Sequence, residues 1–254
     1  ALARHVWHAY LGGDAYGGAY RPFGSRVVLD GVDLDLEQSP DGCPSSAACL
    51  DVVHGWHDFV RELRALMDAD TRKQYLITAV PIATKWLDPT LAFPNFGAYT
   101  HGYLPGVGHC TPAPQSPPRF APARSAFGDA LADIDFVLPQ FYPSPASITL
   151  TSAMQCWLRD LAVFVEAADA AGAARTKFGV GVPASASAAN GGQVSAATVI
   201  AKLRAAFVEQ PALARRFGGA MLWDELHGWR ADRSLLSKEL AAAMANANFL
   251  PPPP

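Results

Sequence analysis

The chain has 254 residues, 50% of them hydrophobic and 17% charged, with a mean hydropathy of +0.09. This is an ordinary soluble globular composition, and the length suits either two small domains or one α/β barrel. A formal net charge of −3 argues against a nucleic-acid or anionic-membrane partner, and no apolar run approaches the ~20 residues of a membrane helix.

The N-terminal residues carry helical pattern. A strand is predicted at 27–37, a helix at 50–68 and a second strand at 74–81. Val53, Trp56, Phe59, Val60, Leu63 and Leu66 form an apolar stripe at helical spacing. Residues 82–124 are a long connection rich in Pro, Gly and aromatics, with a short helix near 84–91. A helix at 125–132, a strand at 135–142 and a helix at 152–171 follow. The rest reads strand 176–182, helix 195–208, strand 217–223 and helix 232–247. Strand–helix alternation with continuous apolar strands means a parallel sheet flanked by helices. Residues 1–249 are read as one domain and 250–254, ending PPPP, as a tail or linker start.

The segment DGVDLDLE at 30–37 sets Asp33, Asp35 and Glu37 on alternate residues. In a strand these share one face, and Val32, Leu34 and Leu36 occupy the other. Three carboxyl groups within about 14 Å of strand repel one another, which raises the pKa of at least one of them. That is costly for a merely structural strand and useful for acid–base chemistry. Ligands of parallel α/β folds bind beyond the carboxyl ends of the strands. Those ends supply Glu37, Gln140 with Tyr142, and Trp223 with Asp224. A carboxylic acid, hydrogen-bonding side chains and an indole floor converging at one mouth suit a sugar ring.

The four cysteines flank or lie in segments read as loops. Cys43 and Cys49 bracket a short Pro/Ser/Ala stretch that closes readily, leaving Cys110 and Cys156 to pair across two loops. Two disulfides would fit a secreted protein, and four free thiols are the alternative. No C-x-x-C spacing points to zinc. His54 and His57 lie three apart on a helix without a third ligand, and His101 and His109 sit in the long connection. G-V-G-V-P-A at 179–184 imitates a dinucleotide fingerprint, but it contains Pro183 and lacks the acidic partner. Neither a metal nor a cofactor is expected.

The segment at 30–37 resembles the DGxDxDxE signature on the fourth strand of family 18 glycoside hydrolases. LPQFY at 138–142, FGVGVPAS at 178–185 and GGAMLWDE at 218–225 resemble the sixth, seventh and eighth strands of the plant and fungal class III chitinase branch. ARHVWHAYLGG at 3–13 resembles the helix before the signature strand. The resemblance implies a (β/α)8 TIM barrel of which this chain supplies about five units, strands four to eight. It implies Glu37 as general acid, Asp35 as partner of the substrate's 2-acetamido group and of Glu37, and Asp33 as an electrostatic partner behind it. Tyr142 would hydrogen-bond the acetamido carbonyl, Gln140 would contact the same sugar, and Trp223 would be its floor. Asp224 beside Trp223 is a further substrate-binding candidate.

The implied activity is retaining, substrate-assisted hydrolysis of β-1,4 bonds in chitin and N-acetylglucosamine oligomers, by a secreted protein that is monomeric at full length. Alternatives are an endo-β-N-acetylglucosaminidase acting on N-linked glycans, or a non-catalytic chitinase-like lectin or inhibitor. Because the signature belongs to strand four, about ninety residues carrying three strand–helix units are expected upstream. Without them, two open sheet edges are expected to leave the chain unstable and inactive alone.

Overall fold

The computed structural model describes residues 1–12, 21–24, 27–35, 46–80, 131–142, 158, 161–162, 165–166, 169, 172–173, 175–189, 193–246 and 249–250, with backbone only over 46–53. Helix α1 (Leu2–Val6) runs into a π-helical turn over Trp7–Leu11. Strand β1 (Gly31–Leu34), helix α2 (Ser46–Ala69) and strand β2 (Leu76–Ala79) follow. Strand β3 is only Phe136–Val137, after a 3-10 turn at Leu131–Asp133. Strand β4 (Lys177–Pro183) leads to helices α3 (Ala196–Glu209) and α4 (Pro211–Arg216), and strand β5 (Phe217–Trp223) to α5 (Glu225–Asp232) and α6 (Leu235–Met244).

The five strands form one sheet in the order β1-β2-β3-β4-β5, and every pairing is parallel. This bears out the α/β reading, and each strand falls within or beside its predicted segment. Alternate residues divide the sheet into two faces. Leu34, Ile77, Ala79, Val137, Phe178, Val180 and Val182 are buried in the core beneath the helices. The predicted stripe of α2 meets them through Val60 and Leu63, joined by Met67 one turn beyond Leu63, with Trp56, Phe59 and Leu66 half-buried. Phe207 of α3, Phe217 and Phe249 close the far end, with ring centroids 5.1–5.9 Å apart. The described positions of the helix predicted at 152–171 are helical, and Leu158, Leu161, Ala162 and Val165 are buried.

Three helix assignments change, the first being α4, which was not predicted and opens on Pro211, a residue favoured at the first helical position. Helix α2 starts at Ser46 rather than 50, so Cys49 belongs to it; Ala47 and Ala48 are strong helix formers after a Pro/Ser start signal. The helix predicted at 232–247 is α6 alone, preceded by the unpredicted α5. Arg233 and Ser234 between them adopt left-handed backbone, with φ of 61° and 62°, which stops α5 and reorients the chain. The connection 82–124, its helix near 84–91, most of the helix at 125–132, Leu36 and Glu37 lie outside the described residues. So do Cys43, Cys110, Cys156, His101, His109, the tail 251–254 and the side chain of Cys49, and with them both disulfide pairings. His54 is exposed and His57 buried. Among the described residues, no helix is long and apolar enough to cross a membrane.

Candidate active site

Among the described residues, the predicted site residues lie at and beyond the carboxyl ends of the strands; Glu37 is outside that set. On β1 and just beyond it, Asp33 and Asp35 are exposed while Leu34 between them is buried. In register with Asp33 on β2 is Thr78, whose hydroxyl donates to Asp33 Oδ1. The match depends on Gly31: a Cβ there would lie 2.8 Å from the carbonyl carbon of Leu76, its partner in the ladder. A side chain would therefore force the two strands apart.

Beyond β3, the chain stays close to β4. Gly181 donates its N–H to Pro139 O at 2.7 Å, and Phe141 donates back to Gly181 O at 2.9 Å. Gly181 permits this approach, since a Cβ would meet Met221 Cε at 2.7 Å and Pro139 O at 3.0 Å. The result fixes Gln140 and Tyr142, which are only 3% and 5% exposed. Gln140 Nε2 donates to Val80 O at 2.8 Å and to Asp35 Oδ1 at 3.2 Å. One amide thus ties the ends of three strands together. The Tyr142 hydroxyl lies 3.9 Å from Met221 Sδ on β5. Two residues past Met221, on the same face of β5, Trp223 is 46% exposed.

Asp224 does two things at once. It caps α5 by accepting the His227 N–H on Oδ1 at 2.9 Å. Its carboxylate also receives His227 Nδ1, at 2.9 Å from Oδ2 and 3.0 Å from Oδ1. These bonds, the backbone N–H first and then the ring, hold the Asp224 carboxyl below the usual carboxylate range. The structure thus brings together Asp33, Asp35, Gln140, Tyr142, Trp223 and Asp224 at the carboxyl ends of one sheet. Thr78, Met221 and His227 were not read from the sequence. Strand alternation back from Trp223 could have found Met221, but no sequence signal pairs Thr78 with Asp33.

No protein-family model matches the chain. An endochitinase of Saccharomyces cerevisiae is 28% identical over 225 residues, covering 88% of this chain and 29% of that protein. Endochitinase 3 of Metarhizium anisopliae is 39% identical over 80 residues, covering 32% of this chain and 22% of the relative. Among solved structures, a chitinase from Ipomoea carnea matches 92% of this chain and 62% of its own at TM-score 0.55 and 20% identity. A family 18 chitinase from Chromobacterium violaceum matches 84% and 55% at TM-score 0.53 and 22% identity. The chain has the family 18 chitinase-like fold. A xylanase and α-amylase inhibitor protein from Scadoxus multiflorus also matches, over 95% and 66% at TM-score 0.58 and 21% identity. This chitinase-like chain spans less than a third of the two endochitinases and at most about two thirds of these structures.

Asp224 also sets a pH dependence. Its folded-state pKa is depressed, so the stability it contributes is complete above the unfolded value near 3.9 and is lost as pH falls through the folded value. Asn caps a helix about as well as Asp, so Asp224→Asn removes the charge and keeps the cap. The wild type is expected to melt above Asp224→Asn at about pH 5, with the difference shrinking as pH falls below the unfolded value and Asp224 takes up its proton. Thermal unfolding across that range checks this, and a difference that persists unchanged into acid would disprove it.

Proposed function

We propose that this chain carries the reaction centre of a secreted chitin-degrading glycoside hydrolase. The observation that supports it is the union, on one sheet face, of the exposed Asp33–Asp35 edge with Gln140, Tyr142 and Trp223. In this reading Glu37 gives its proton to the glycosidic oxygen as the bond from that oxygen to the anomeric carbon breaks. The substrate's own acetamido carbonyl oxygen attacks the anomeric carbon, and the configuration is retained after water opens the ring so formed. Glu37, then a carboxylate, accepts the proton of that water.

The protein's part is orientation and charge. Asp35 steadies the acetamido N–H, where positive charge develops, and the Tyr142 hydroxyl holds the carbonyl in line for attack. Gln140 keeps Asp35 in place through its amide, and Thr78 does the same for Asp33. The Trp223 indole offers an apolar floor to a pyranose ring. No cofactor or metal takes part in this scheme.

The test is Glu37→Gln in the intact protein, assayed with N-acetylglucosamine oligomers and with N-linked glycans. The variant keeps the shape of the side chain and loses the transferable proton. Turnover is expected to fall at least about a hundredfold while oligomer binding persists. Full turnover by the variant would refute the assignment of the acid. A wild type that binds oligomers without cleaving either substrate would instead mean a lectin.

A further inference from the structure

The Asp224 carboxylate, singled out from the sequence as a substrate contact, also makes bonds within the protein. Its two oxygens take the His227 N–H and the His227 ring at 2.9–3.0 Å. Because Asp224 is held ionised, the ring must donate from Nδ1, which fixes the tautomer and the plane of the imidazole. The His227 side chain is 36% exposed. With Nδ1 engaged, Nε2 is the nitrogen left to meet a ligand, and no bond to it is seen among the described residues. The cap brings the ring back over the first turn of α5, which begins two residues after the half-exposed Trp223. Gly228 lets that turn sit close on Ala184, beside the carboxyl end of β4.

We infer that His227 is a sugar-binding residue, with Nε2 meeting a hydroxyl of the ring that stacks on Trp223, and that Asp224 is its positioning residue. This rests on the sugar-site reading above. A neutral imidazole fixed at Nδ1 accepts a hydroxyl proton at Nε2, and a protonated one donates to the hydroxyl oxygen. Either form therefore suits a polyol.

The experiment titrates the protein with the N-acetylglucosamine tetramer, following binding by calorimetry and stability by thermal unfolding. In His227→Asn, the side-chain amide stands where Nδ1 stood and can keep the bond to Asp224, but nothing replaces Nε2. It is expected to unfold with the wild type and bind the tetramer about five- to tenfold more weakly, the loss of one ligand hydrogen bond. His227→Gln, whose amide reaches the Nε2 position, is expected to recover most of that loss. Wild-type affinity in His227→Asn would overturn the inference while leaving the sugar site standing. Failure of the wild type to bind the tetramer would overturn both. Should His227→Asn unfold, the imidazole resonances of the wild type decide: a shift at Nε2 on adding tetramer supports the contact, and no shift refutes it.

Discussion

Replacing Arg64 with alanine is expected to destabilise the protein by about 3–5 kcal/mol, as loss of one partner from a buried ion pair does. The Arg64 and Asp135 side chains are only 5% and 9% exposed and are joined through Arg64 Nη2. Arg64 Nε also donates to Asp133 O at 3.1 Å, and Nη1 to Tyr75 O at 3.3 Å. Asp135 in turn accepts the Ile77 N–H at 2.8 Å, so this group extends the short pairing of β2 with β3. Alanine would leave that carboxylate buried, with Arg175 Nε 3.5 Å away as its remaining cation among the described residues. Adding Asp135→Asn to the variant removes the stranded charge but keeps an acceptor for Ile77. The double variant is expected to recover about 1–2 kcal/mol relative to Arg64→Ala. Urea unfolding of the three proteins measures both numbers. A cost below about 1 kcal/mol for Arg64→Ala would mean that the pair stabilises the fold no more than a surface bridge does.

Gly31→Ala is expected to damage stability and activity together. The added methyl would meet backbone, 2.8 Å from the Leu76 carbonyl carbon and 3.0 Å from its nitrogen, and backbone cannot rotate aside as a side chain tip can. The strands must separate or slip, at a cost near the upper end of the about 1–3 kcal/mol of overpacking. The same shift carries Asp33 away from Thr78 and Asp35 away from Gln140. Since a displacement of about 1 Å can cost a hundredfold in rate, turnover of chitin oligomers by the intact protein is expected to fall by about that factor. Circular dichroism melting with an oligomer assay checks the pair of effects. Unchanged melting with unchanged turnover would mean that β1 and β2 tolerate a methyl between them.

Much of this was legible in the chain because it depends on short periods. Alternation over 32–35 is enough to send Leu34 into the core and Asp33 and Asp35 to the opposite face, whatever the strand pairs with. Helical spacing likewise identified Val60 and Leu63 as core before any partner was known. The buried residues of β2 and β4 are apolar enough to mark strands covered by helices. Helix α5 was missed for the opposite reason. Its sequence ELHGWRAD has no continuous apolar stripe and contains Gly228, so its start depends on the Asp224 cap.

The side-chain partners belong to tertiary structure. Gln140 meets Asp35 across 105 residues, Thr78 meets Asp33 across 45, and Arg64 meets Asp135 across 71. No periodicity links such positions. Strand register decides which residues face each other, and register is set by how the apolar side chains of all five strands fill the space under the helices. Asp224 makes the same point within three residues. From the sequence it was an acid beside an indole and a candidate substrate contact. Folded, its Oδ1 also accepts the His227 N–H, because the start of a helix leaves orphan N–H groups that a carboxylate within reach can cap.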